Sequence, residues 1–183
     1  MEHTEVLVIG GRAGVGKTTV GWEVSAQLRA ASVPHAVVEG DFMAQVHPAP
    51  EDDPRRTKLA ERNLTALWAN YAELGHRRLV YTNTVSVLPA TTDMIERATR
   101  PCARIVRVLL TASDATTEER LTGRELGSEL EHELRGSARK ARLLDEQAPA
   151  DTLRVATDGR LVVDIARDLV AATGWAGQRH RRT

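Results

Sequence analysis

The 183-residue sequence predicts an α/β fold: a three-layer sandwich on a mainly parallel five-stranded sheet, with a helical lid. Three observations lead there. Apolar runs of strand length alternate with longer runs of helical periodicity along the chain. A glycine-rich turn, GGRAGVGKTT (10–19), joins the first such run to the first helix. No internal repeat of the kind that marks solenoids or propellers is present.

The elements follow in order. VLVI (Val6–Ile9) gives a strand at about 5–9, and the glycine turn leads into a helix at about 16–31 with Val20, Val24, Leu28 and Ala31 on one face. Trp22 lies off that stripe and reads as a packing residue between layers. HAVVEGD (35–41) contains a short buried strand and a turn, and the proline-rich, charged HPAPEDDPRR (47–56) reads as a surface loop. A helix at about 57–75 carries Ala60, Leu64, Leu67, Trp68, Tyr71 and Leu74 at three- and four-residue steps, with Gly75 as its stop. RLVYTNT (78–84) and ARIVRVLLT (103–111) are strands three and four, with a short helix over 91–99 between them. Residues 116–146 form the lid candidate, helical with breaks near Gly127–Ser128 and at Gly136. TLRVAT (152–157) is the fifth strand and 161–173 the closing helix. The division expected is one domain over 1–176 and a flexible basic tail over 177–183.

Composition narrows the function. Hydrophobic residues make up 42% and charged residues 27%, as in globular proteins. No apolar run has the ~20 residues of a membrane span, and MEHTEV lacks the basic and apolar regions of a signal peptide. A cytoplasmic protein with no membrane partner is expected. The 25 basic residues balance 25 acidic ones, which argues against a nucleic-acid partner. Cys102 is alone and the six His are scattered, so no thiolate or His-based metal site is indicated. Any metal is expected to be Mg²⁺, brought by a nucleotide. Oligomeric state is open between monomer and homodimer.

The turn matches G-x-x-x-x-G-K-[ST] at Gly11, Gly16, Lys17 and Thr18. Glycines let successive N–H groups point into one concavity and bind phosphate oxygens. The following helix adds its positive dipole end. Lys17 supplies a point charge for the β- and γ-phosphates, and the Thr18 hydroxyl is a ligand for Mg²⁺. Arg12, Ala13, Gly14, Val15 and Thr19 complete the nucleotide-binding stretch. These residues resemble those of the P-loop NTPases, which implies ATP or GTP as ligand.

Neither later strand ends in the Asp-Glu pair of a motor-type ATPase, and no N-K-x-D guanine reader occurs. Hydrolase and switch readings are thereby disfavoured. Asp41 instead ends the second strand, in the crevice where α/β folds bind ligands. A carboxylate there can take a proton from an acceptor hydroxyl or hold a metal-bound water; capping the next helix is the compatible structural role. Arg120 and Arg124, four apart, project from one helix face and are candidates to clamp the transferring phosphoryl group. A second row, Arg135, Arg139 and Arg142, reads first as surface.

Together the order resembles the small-molecule kinase branch of the P-loop proteins: adenylylsulfate, gluconate and shikimate kinases and chloramphenicol phosphotransferase. The likeness spans about residues 5–173, and only the phosphate loop is a sharp motif. It implies ATP with Mg²⁺, a catalytic set of Lys17, Asp41 and Arg124, and Arg120 stacked on the adenine. It also implies a base-bordering loop over Ala156, Thr157, Asp158 and Gly159. The acceptor side would be Asp41, Phe42, Arg62, Thr82, Asn83 and Thr84. The uncharged Thr82–Thr84 suit a neutral, hydroxylated acceptor better than a cation, and Arg55, Arg56 and Arg62 are available to an anionic group. TNTVSVLP (82–89) departs from the adenylylsulfate kinase signature F-I-S-P, and the acidic pair of chloramphenicol phosphotransferase is missing there. The leading expectation is an ATP-dependent phosphotransferase acting on a small-molecule hydroxyl. The alternatives are a nucleotide-dependent binding protein of the tunicamycin-resistance type and a regulatory NTPase.

Overall fold

The structure, a computed structural model, describes residues 3–123 and 128–177. Arg124 and residues 178–183 of the expected tail lie outside the described residues. The chain runs β1 (Thr4–Gly10), α1 (Lys17–Ala30), β2 (Ala36–Glu39), a 3₁₀ turn (Gly40–Phe42) and α2 (Thr57–Glu73). It continues through β3 (Arg78–Thr82), α3 (Pro89–Ala98), β4 (Cys102–Thr111), α4 (Asp114–Thr122) and α5 (Ser128–Gln147). β5 (Leu153–Ala156), α6 (Val162–Thr173) and a last 3₁₀ turn (Trp175–Gly177) complete it.

The five strands form one sheet in the order β2-β3-β1-β4-β5, and every pairing is parallel. Parallel neighbours need a crossover, so each strand returns through helices that cover both faces. The pleat sends alternate residues of β1 to opposite sides. Leu7 and Ile9 pack with Val20, Val24 and Leu28 of α1 and with Ile165 and Leu169 of α6. Val6 and Val8 pack with Leu64 and Trp68 of α2, Ile95 of α3 and Leu144 of α5. Burying each such side chain is worth about 1.5–3 kcal/mol, and the two cores make the three layers. No helix among the described residues is long and apolar enough to cross a membrane.

Several expectations shift. Trp22 is 54% exposed, so it is no packing residue between layers: α1 turns Val20, Val24 and Leu28 inward instead. Leu74 sits at the C-cap of α2 and is exposed, because the helical stripe has by then left the sheet. Helix α3 starts at Pro89, whose fixed φ suits a first turn. Helix α5 runs through Gly136 without a break; a helical glycine costs only about 1 kcal/mol, which packing of Leu144 offsets. Trp175 is wholly buried beneath α6, a core role its position beyond the periodic helix hides.

β1 lies between β3 and β4, while α1 carries the chain away to β2 at the edge. The connections after β1 and β3 therefore leave in opposite directions. A crevice opens where they part, and the loops after β1, β2, β3 and β4 meet there.

Candidate active site

The phosphate loop leaves β1 at Gly10 and enters α1 at Lys17. Gly16 caps that helix at φ +96°, a left-handed conformation that L side chains rarely adopt. The first residues of α1, whose N–H groups have no intrahelical partner, border the crevice. Lys17 Nζ lies 3.4 Å from the Arg12 carbonyl and 4.0 Å from Asp41 Oδ2. A cleft of about 700 Å³ opens over the loop, lined among others by Gly14, Lys17, Thr18, Thr19, Phe42 and Arg120. Ala13, Gly16, Asp41 and Thr84 also reach it, whereas the Val15 side chain is buried below.

Two carboxylates at the end of β2 organise the crevice. Parallel pairing sets Glu39 opposite Thr82. Glu39 Oε1 accepts hydrogen bonds from the Thr82 hydroxyl at 2.9 Å and the Thr18 hydroxyl at 2.8 Å. Glu39 is thus a site residue that sequence reading passes over; the signal is an acid ending the strand in VVEGD. Thr82 is 2% exposed, and its hydroxyl serves Glu39.

Asp41 is held from the other side. Its Oδ1 accepts from Asn83 Nδ2 at 2.7 Å and from the Thr84 N–H at 3.2 Å. Asn83 is fixed in turn, for its Oδ1 accepts the Val85 N–H and its own N–H donates to the Ile9 carbonyl. The Thr84 carbonyl accepts the Gly11 N–H at 3.1 Å, tying the β3 end to the phosphate loop. With Oδ1 so engaged, Oδ2 is the oxygen turned toward Lys17. The Asp41 carboxylate orients on Asn83 and Thr84, just beyond β3, and the 3₁₀ turn that contains Asp41 has no side-chain cap. Gly40 is required by a close approach: a Cβ there would lie 2.1 Å from the Tyr81 hydroxyl oxygen. Burial, reinforced by the Asp41 charge, pushes the Tyr81 phenol well above its ordinary pKa and keeps it neutral.

A second cavity of about 580 Å³ adjoins the cleft between α2 and α3, with Tyr81, Asn83, Val85 and Met94 in its wall. Asp41 lines both spaces. Arg55 and Arg56 line the second cavity. Arg62 does not: it is exposed on the outer side of α2, in a shallow groove with Lys58 and Asn63.

The α4–α5 hairpin is joined to the loop. Arg120 donates to the Val15 carbonyl at 3.3 Å and to the Thr157 hydroxyl at 3.1 Å. This brings Arg120, the phosphate loop and the turn after β5 together. In that turn Gly159 is left-handed. Asp158 accepts the Ser113 N–H at 3.0 Å and the Ser113 hydroxyl at 2.8 Å. Hydrogen bonds from Thr116, then Ser113, hold its carboxyl down at about 2. Its carboxylate thus braces the start of α4. Arg12 points away from the cleft: it pairs with Asp114, and its Nε donates to Ser137 Oγ at 2.8 Å. Ser137 Oγ donates to the Ala13 carbonyl at 2.9 Å.

Among the described residues no group of three His, Cys, Asp or Glu side chains could hold a metal ion by itself. The Thr18 hydroxyl and the Glu39 carboxylate are both oxygen donors at the mouth of the phosphate loop, a set that fits a hard cation also bound by phosphate.

No known protein family matches the chain by sequence, and no curated protein matches it either. Solved structures do match. The tunicamycin resistance protein of Deinococcus radiodurans superposes with a TM-score of 0.63 at 19% identity, covering 94% of this chain and 96% of that one. A gluconokinase from Sinorhizobium meliloti 1021 gives 0.56 at 19% identity, over 95% and 94%. The APS kinase of Mycobacterium tuberculosis, in complex with AMPPNP and APS, gives 0.58 at 17% identity, over 94% and 98%.

Proposed function

From the premise that this chain has the fold of the P-loop kinases, we propose that it transfers the γ-phosphoryl group of ATP to a hydroxyl of a small molecule. The observation that carries the reading is Asp41, a carboxylate in the wall of both cavities with one oxygen turned toward Lys17. On this reading the nucleotide polyphosphate lies over Gly11–Gly16 and the acceptor fills the space between α2 and α3. The APS kinase structure with AMPPNP supports a nucleotide in this fold.

The chain's own groups divide the work. Loop N–H groups and the α1 dipole hold the β-phosphate, and Lys17 stabilises charge building on the γ-phosphoryl oxygens. Asp41 Oδ2 accepts the proton of the acceptor hydroxyl as its oxygen forms the new bond to phosphorus. The bond from phosphorus to the bridging oxygen breaks in line, and ADP leaves with that electron pair. Asn83 and the Thr84 N–H hold Oδ1, so the carboxylate meets the acceptor in one orientation. Thr18, with Glu39 behind it, would hold Mg²⁺, which would neutralise phosphate charge there. Arg120, at the loop carbonyls and Thr157, is positioned to border the nucleotide.

Asp41→Asn is the test. Transfer to any accepted hydroxyl compound is expected to fall at least about a hundredfold, while nucleotide affinity by calorimetry stays within a few-fold. Undiminished transfer by the variant would remove Asp41 as the base. A second reading, sequestration of a ligand without modification, is supported by the shared fold with a tunicamycin resistance protein. Tight ATP binding with no phosphorylated product across a broad acceptor panel would favour it.

A further inference from the structure

The charges around the second cavity are unevenly committed. Glu61 and Arg97 form a two-point ion pair, Arg97 Nε to Oε1 at 2.9 Å and the terminal nitrogen to Oε2 at 2.8 Å, so they cancel. Lys58 is paired with Asp52 at 3.1 Å. Asp41, in the wall of both spaces, is paired with Lys17 at 4.0 Å. What remains in the wall is Arg55 and Arg56, at the start of α2.

Neither guanidinium is spent. Arg55 forms no ion pair or hydrogen bond among the described residues. Arg56 uses Nε alone, donated to the Val46 carbonyl at 3.0 Å. Among the described residues Arg56 is also one of two non-glycine residues with positive φ, at +58°, where side chains are uncommon. That conformation is held in place: the Asp53 carboxylate accepts the Thr57 and Leu59 N–H groups, and the Arg56 N–H donates to the Asp53 carbonyl. The loop is thus built around a backbone conformation that costs stability, and it leaves two uncommitted guanidiniums on the cavity wall. At the opposite side, the Asn83 amide is occupied by Asp41, and Thr82 is buried behind the wall with its hydroxyl on Glu39, so neither is free to recognise a neutral polyol.

We infer that the acceptor is a hydroxylated anion, whose carboxylate or phosphate group is held by Arg55 and Arg56 while its hydroxyl faces Asp41. The inference rests on the phosphotransferase reading for the identity of the cavity. Guanidinium pairs suit both anions because each can be met by two parallel N–H donors.

The test is a panel of matched compounds incubated with the whole protein, ATP and Mg²⁺, with phosphorylated product followed by mass spectrometry. Gluconate and glycerate stand for carboxylates, glycerol 3-phosphate for phosphates, and sorbitol and glycerol for their uncharged counterparts. Product from carboxylates supports the inference with a carboxylate acceptor, and product from the phosphate supports it with a phosphorylated one. Arg55→Gln, at an exposed residue with no internal contact, should then raise the acceptor KM about tenfold or more and leave the ATP KM within twofold. Product from neutral compounds alone overturns the inference and leaves the phosphotransferase reading intact. If no compound is phosphorylated, the panel lacks the acceptor and does not bear on that reading. Thermal shift with AMPPNP then decides the inference: stabilisation by the anions, lost in Arg55→Gln, upholds it, and none beyond that from the neutral partners overturns it.

Discussion

Asp41 and Glu39 stand two residues apart at the end of one short strand, yet they work in opposite directions. Glu39 gathers two hydroxyls, Thr18 and Thr82, onto one oxygen. Asp41 is gathered by Asn83 and the Thr84 N–H. Between them Gly40 lets Tyr81 close against the chain. Gly40→Ala must push the buried ring or the turn aside, and overpacking of that kind costs about 1–3 kcal/mol. Chemical denaturation should report that loss with an unchanged m-value. Asp41 is nameable from the sequence because a carboxylate after a strand, beside a phosphate loop, has a chemical use. The duties of Glu39, Thr82 and Asn83 are not, since they arise from the register that sets β2 against β3. Arg62 illustrates the same limit: its charge is visible in the chain, while the helix face it occupies is decided by packing of Leu64 and Trp68.

At the scale of elements, the phosphate loop is legible because its demands are local: glycines, a lysine and a helix start within one stretch. The hairpin that follows β4 is joined to it by contacts more than a hundred residues apart in sequence. Arg12, 8% exposed, is the main strut, and Asp114 at its far end is 85% exposed. The ion pair is therefore worth little by itself, and most of the strut's value lies in the buried bond to Ser137. Arg12→Ala is expected to cost about 1–3 kcal/mol, a fall of roughly 3–10 °C in Tm for a domain of this size. Calorimetry should show weaker ATP binding as well, because the Ala13 carbonyl loses its organised partner. A second joint, Asp158 to the start of α4, titrates. Its carboxyl sits at about 2 in the folded state, below the ordinary 3.8. The contribution is thus present above pH 3.8 and is lost as pH falls toward 2. Protection of the Ser113 and Thr116 amides, taken relative to their intrinsic exchange rates, should fall over that interval, and Asp158→Asn should flatten the profile.

Across the whole molecule, the alternation of strands and helices was enough to expect a parallel sheet covered on both faces. The strand order was not readable, because it depends on which crossovers pack where. Order is what brings the ends of β1, β2 and β3 into one crevice and so turns separate residues into a site. The helical stripes foretold the cores well in the middle of α1 and α2 and less well at their ends. There the curvature of the packing surface, rather than periodicity, decides exposure, as Leu74 shows.

If the proposed phosphotransfer holds, the carboxylate shared by two cavities also sets the terms on which the protein would waste its fuel. When the acceptor space is empty, solvent enters it, and water is itself a hydroxyl compound. On the proposed reading, the same oxygen of Asp41 that would take a proton from an acceptor would also take one from that water. Fidelity in such an arrangement comes from displacement: an acceptor protects the nucleotide by filling the room in which a competing nucleophile would otherwise stand.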